Sequence, residues 1–154
     1  MPTKETTLFA PATGKVIKIE EVKDPVFGSK MMGDGFAVQP IESEVYSPVS
    51  GVVTSVFETK HAIGLLADNG AEVLVHMGLD TVQMTDQAFD VFVKEGDHIE
   101  QGTKIAEADW EKVRAAGKGT TVVVVFTNSA AIDQFKLEKT GATTVNTTVG
   151  TITI

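Results

Sequence analysis

Short runs of β-branched and aliphatic residues, separated by glycine-containing turns, most limit what this chain can become. They read GKVIKI (14–19), GVVTSVF (51–57), TVVVVF (121–126) and VGTITI (149–154). Runs of this length and make-up favour strands, so the expected fold is all-β: an antiparallel sandwich, barrel-like, with one or two short helices. One helix is predicted over residues 109–116, where Asp109 caps, Trp110 and Val113 share a face and Gly117 ends it. A further turn or two is expected over 129–135.

The strand pattern repeats itself. APATGKV (10–16) returns as SPVSGVV (47–53), a small-Pro-x-x-Gly-x-Val unit in which proline blocks earlier pairing and glycine permits a tight entry into a strand. Two such corners imply a pseudo-duplicated sheet. No low-complexity stretch or linker divides the 154 residues, and one domain spanning 1–154 is expected.

Thirteen basic against 21 acidic residues leave a net charge of -8, which repels phosphate polymers, so no nucleic-acid partner is expected. With no cysteine, thiol catalysis, disulfides and thiolate metal sites are excluded, and a reducing compartment suits the chain. The opening residues carry no charged n-region followed by an apolar h-region, and no apolar run approaches the roughly 20 residues of a span. A soluble, cytoplasmic protein, not inserted in a membrane, is the expectation.

Asp68-Asn69-Gly70 lies between AIGLLA (62–67) and AEVLV (71–75), a strong hairpin signal. If the loop is Asn69-Gly70, His76 faces Ile63 with His61 on the diagonal; if it is Asp68-Asn69, the two histidines are directly opposite. Either two-residue loop puts both imidazoles on one face, whereas a three-residue loop is expected to send them to opposite faces. The same register assigns Leu66, Val73, Val75 and Met77 to a core face and sets Ile63, Leu65 and Leu74 beside the histidines. That histidine face is either buried in the sandwich or a partly exposed apolar docking patch.

Near neutral pH an imidazole can shuttle protons, ligate metal or attack as a nucleophile. Zinc on His61 and His76 needs a third ligand, from Asp80 or from a partner's carboxylate. No Gly-x-Ser-x-Gly elbow and no Gly-x-x-x-x-Gly-Lys-Ser/Thr loop occurs, and Met32-Gly33-Asp34-Gly35 reads as a turn. Phosphoryl carriage on a histidine remains.

At these residues the chain resembles the glucose-type enzyme IIA family of the bacterial sugar phosphotransferase system. The likeness runs through Ala10-Pro11-x-x-Gly14, Asp24-Pro25-Val26-Phe27, MGDGFAV (32–38), SPVSG (47–51), FETKHA (57–62) and all of 72–82, continuing to about residue 129. The resemblance implies a duplicated hybrid motif and a phosphorelay: the carrier HPr donates a phosphoryl group to His76, which passes it to a cysteine of a IIB domain. It implies that His76 attacks through Nε2 with Nδ1–H held by the Gly78 carbonyl, that His61 stabilises the phosphoryl group with Thr59 bonded to His61, and that Asp80 is the acidic neighbour. Val26, Phe27, Met31, Met32, Phe57 and Val82 match the docking patch. Regulated transporters or kinases are further implied partners of the unphosphorylated form. No cofactor is obligatory beyond the phosphoryl group on His76. His98 matches no functional position and is expected in an exposed loop. No IIB or IIC segment lies within the sequence, so a free-standing protein or an excised domain is expected.

Two alternatives compete. A lysostaphin-like zinc peptidase needs His-x-x-x-Asp and His-x-His, neither of which occurs. A biotinyl or lipoyl carrier needs a lysine at a hairpin tip, and Ser29-Lys30-Met31-Met32 matches only in part.

Overall fold

The computed structural model describes residues 4–84 and 87–154. Its centre is an eight-stranded sheet in the order β13 (Gly141–Thr143), β2 (Gly14–Lys18), β3 (Asp34–Pro40), β11 (Gly119–Phe126), β7 (Glu72–Leu79), β6 (Ala62–Ala67), β5 (Gly51–Val56) and β9 (His98–Ile99). Two three-stranded sheets accompany it: β1 (Glu5–Phe9), β14 (Thr148–Thr153) and β12 (Gln134–Leu137), and β4 (Glu44–Tyr46), β10 (Lys104–Ala108) and β8 (Phe89–Val91). Strand pairings among the described residues are antiparallel, and all four predicted runs are strands. The sandwich expected from the sequence is what the chain forms.

Strand β11 shows how the residues select this arrangement. Val122, Val124 and Phe126 enter the main core, while Val123 and Val125 on the opposite face join Ile17, Ala37, Ala62 and Leu74 in a second cluster. A continuous apolar run is the mark of a strand covered on both sides. The cover on the outer side is the segment carrying Ile19, Val22 and Phe27. Part of that segment is α1 (Pro25–Gly28), a single turn that sequence patterning does not predict because four residues have no period to read. Asp24 caps it by accepting from the Val26 and Phe27 amides, and Pro25 occupies the first helical position. The helix predicted over residues 109–116 is α2 (Trp110–Ala115), with the Asp109 side chain accepting from the Lys112 amide and Gly117 at φ 78 beyond its end.

The repeated corners meet. The Phe9 amide donates to the Pro48 carbonyl at 3.0 Å, and the Tyr46 amide donates to the Pro11 carbonyl at 2.7 Å, the same exchange seen from either copy. Both corner glycines are forced by close approach: a Cβ on Gly14 would lie 2.0 Å from the Gln39 carbonyl oxygen, and one on Gly51 would lie 2.1 Å from that of Leu66. The duplication read from the sequence is thus a structural one.

Three expectations are corrected. The hairpin joining β6 and β7 has a three-residue loop, with Ala62 paired to His76, Ile63 to Val75 and the Ala67 amide bonded to the Ala71 carbonyl. Gly70 takes φ 97, and the buried Asn69 amide donates to the carbonyls of Lys4 and Ile152 while its oxygen accepts from the Ala71 amide. Tertiary bonds to Lys4, just before β1, and to Ile152 in β14 therefore overrule the two-residue turn that Asn-Gly alone favours. In this register Ile63 and Leu65 belong to the main core and Leu66 is exposed; Leu74 remains on the face of His76. Residues 129–135 hold only a 3-10 turn at Ser129–Ala131, Phe135 lies in β12, and the exposed His98 lies in β9 rather than a loop.

Candidate functional site

His76 stands near the end of β7, in a row across the outer face that includes Val123, Ala37 and Ile17. The observed register would turn His61 away from it if β6 extended that far. It does not: β6 begins at Ala62, and Lys60 just before it adopts φ 60. His61 stands at the mouth of the strand with its carbonyl still accepting from the Met77 amide, and its ring lies 4.9 Å from that of His76, centroid to centroid, at 75°. Phe27 and Phe57 flank the pair at 4.9 Å from His76 and 5.4 Å from His61, so four aromatic rings form one line.

Hydrogen bonds assign the ring nitrogens. His76 Nδ1 lies 2.7 Å from the Gly78 carbonyl, and a carbonyl only accepts, so Nδ1 carries the proton and Nε2 keeps its lone pair. Gly78 takes φ 84, and a Cβ there would lie 2.5 Å from Thr81 Cγ2 and 2.8 Å from the Gly119 carbonyl oxygen. Only glycine fits the turn that aims this carbonyl back at the ring. Thr59 Oγ1 and His61 Nδ1 share a hydrogen bond.

Burial pushes the His76 imidazole down to about 4 from the ordinary 6.5, with the neighbouring His61 adding to the effect; the Gly78 carbonyl and the charges of Asp24 and Asp80 pull the other way. Burial also lowers His61. At neutral pH both rings are uncharged, and His76 keeps one unprotonated nitrogen. Asp80 is exposed at φ 60 and opens a 3-10 turn without a side-chain capping bond, leaving its carboxylate to act through space. Asp24 is a charged neighbour that sequence reading missed as part of the site. Its signal was the Asp-Pro helix start, which places its carboxylate on the segment packed over His76.

Of the six residues matched to a docking patch, Val26, Met31, Met32, Phe57 and Val82 are exposed, Met31 to 76%. Phe27 is the exception at 7%, spent on packing against His76. Among the described residues, no group of three or more His, Cys, Asp or Glu side chains is placed to hold a metal, so His61 and His76 lack the third ligand a catalytic zinc needs. Nor does any described helix have the length and apolarity to cross a membrane.

A half-buried neutral imidazole ringed by exposed apolar side chains is the arrangement of a group carrier that meets other proteins. Residues 6–132 match the family model described as phosphoenolpyruvate-dependent sugar phosphotransferase system, EIIA 1. The chain is 47% identical over 134 residues to the PTS system glucose-specific EIIA component of Bacillus cereus, covering 87% of this chain and 81% of that one. It is 50% identical over 145 residues to the PTS system glucose-specific EIICBA component of Streptococcus pneumoniae serotype 4, covering 94% of this chain but only 20% of that longer protein. Among solved structures it is similar to the glucose permease IIA of Mycoplasma capricolum, with a TM-score of 0.89, 33% identity and 96% of each chain covered. The chain belongs to the EIIA 1 family of the phosphoenolpyruvate-dependent sugar phosphotransferase system. Its role is that of a phosphocarrier in sugar uptake, and the zinc peptidase alternative finds no support.

Proposed function

We propose that His76 is the phosphoryl acceptor, that HPr is the donor and a IIB cysteine the recipient, and that residues 1–154 form one EIIA unit. Nε2 attacks phosphorus as the donor's P–N bond breaks, and that electron pair returns to the donor imidazole. The new P–N bond leaves His76 with Nδ1–H still bonded to Gly78 and a positive charge on the ring, which Asp24 and Asp80 stabilise. A IIB thiolate then attacks phosphorus, the P–N bond breaks, and the ring is neutral again. His61, held by Thr59, donates a hydrogen bond to the phosphoryl oxygens in the onward transfer. Charge stabilisation and positioning supply most of the catalysis in such an exchange.

The single observation carrying this reading is the His76 Nδ1 bond to the Gly78 carbonyl, because it frees Nε2 beside a second imidazole. Val26, Met31, Met32, Phe57 and Val82 form the patch that both partners contact, with Phe27 beneath them. About two negative charges added at its centre change which proteins can dock, a basis for regulating transporters or kinases through the unphosphorylated form. Relatives are named glucose-specific, and glucose is the sugar proposed here; the cytoplasm, where HPr acts, is the proposed compartment.

Phosphoenolpyruvate, enzyme I and HPr should convert the protein to an acid-labile, base-stable phosphoprotein, and His76→Ala should remain unlabelled. Labelling of His76→Ala would show that the acceptor lies elsewhere.

A further inference from the structure

Thr81 is only 2% exposed, and its hydroxyl donates to the Met77 carbonyl at 2.7 Å. Met77 lies in the backbone between the groups that anchor the two histidines. Its amide donates to the His61 carbonyl at 2.7 Å, and the next carbonyl along, that of Gly78, receives His76 Nδ1. The Thr81 methyl occupies the place a Gly78 side chain would need, and its own carbonyl receives the Met84 amide.

We infer that Thr81 is the positioning residue of the site: its hydroxyl fixes the Met77–Gly78 peptide and so holds the His76 tautomer and the spacing of the two rings. This peptide lies between the one whose N–H anchors the His61 carbonyl and the one whose carbonyl receives His76 Nδ1, so a displacement of it is passed to both neighbours. Without that carbonyl the proton is free to settle on Nε2, where it blocks attack. One buried hydroxyl thereby sets both the nucleophile's protonation site and its distance from the helper. Small displacements of reacting groups cost heavily in transfer reactions, up to about 100-fold for 1 Å.

The inference rests on His76 being the acceptor only in its kinetic half; its structural half is measured without any donor. In Thr81→Val, which keeps the shape and removes the hydroxyl, nitrogen-15 NMR of the unphosphorylated protein should show His76 passing from one tautomer to a mixture. Phosphoryl acceptance from HPr should fall on the order of 10- to 100-fold, with KM for HPr little changed. Thr81→Ser, which restores the hydroxyl, should recover both the single tautomer and the rate. Should Thr81→Val prove too unstable to fold, Thr81→Ser alone decides, since a folded serine variant with mixed tautomers or a slow rate overturns the inference. It is equally overturned by a folded Thr81→Val protein with an unmixed tautomer. A normal tautomer change without any loss of labelling would instead point to another acceptor, leaving the structural half intact.

Discussion

The ring of His61 stands nearly edge-on to the ring of His76 at 4.9 Å, although the strand register between their neighbours pairs His76 with Ala62. The backbone keeps this register as far as the His61 carbonyl, and the left-handed turn comes just before it, at Lys60. His61 is thus held by Thr59 on its ring and, through its carbonyl, by the Met77 amide at the end of the ladder.

That attachment separates the two histidines in their expected phenotypes. His61→Gln retains a polar side chain while losing the imidazole donor, so phosphate from HPr should still load on His76. Onward transfer to IIB should slow by roughly 100-fold, the typical cost of one donor to a developing charge. Rapid-quench measurement of each half-reaction checks this, and unimpaired onward transfer would rule out a stabilising role for His61.

Gly78→Ala is expected to damage fold and site together. The residue must keep φ 84, and its methyl would meet Thr81 Cγ2 at 2.5 Å and the Gly119 carbonyl oxygen at 2.8 Å. Positive φ for a non-glycine residue costs on the order of 1–3 kcal/mol, before the clash with backbone is added. Urea unfolding should register a loss of at least about 2 kcal/mol, and a loss of under half that would mean the turn can be rebuilt around a side chain.

Much of this arrangement is visible in the residues themselves. Turn glycines and β-branched runs locate the main strands, and the Pro-x-x-Gly corners announce a duplication whose copies exchange hydrogen bonds between Phe9 and Pro48 and between Tyr46 and Pro11. The two imidazoles of the site stand out because the chain has only three histidines. Register was not legible, because it is decided by the Asn69 amide bonding to Lys4 and Ile152, residues more than 60 positions away. Phe27 was misjudged as open surface for a related reason. The one-turn helix that buries it has no periodicity, and nothing local states that it folds over His76.

The exposed rim should govern partner encounter without governing stability. Met31 and Val82 are 76% and 54% exposed, so Met31→Asp and Val82→Asp remove little buried surface and should unfold within about 0.5 kcal/mol of the parent. Each adds a charge to the proposed docking face, which should raise KM for HPr several-fold and leave the rate at saturating HPr nearly unchanged. Titration of initial phosphorylation rate against HPr separates these terms. If kcat falls instead with KM constant, the patch shapes the chemistry rather than the docking.

The buried imidazole predicts a particular acid sensitivity. His76 titrates near 6.5 when the chain is unfolded and near 4 when folded, so above pH 6.5 it is neutral in both states and its contribution to stability is complete. Between those values the unfolded chain binds a proton that the folded one refuses, and stability falls as pH falls; below about 4 both forms are protonated and the loss is finished. The shift corresponds to roughly 3 kcal/mol at most. His76→Gln removes this titration, so the difference in unfolding free energy between parent and variant should shrink or reverse between pH 7 and pH 4.5. Parallel losses in the two proteins over that interval would mean that His76 accepts its proton as readily folded as unfolded, and that burial does not keep the ring neutral for attack.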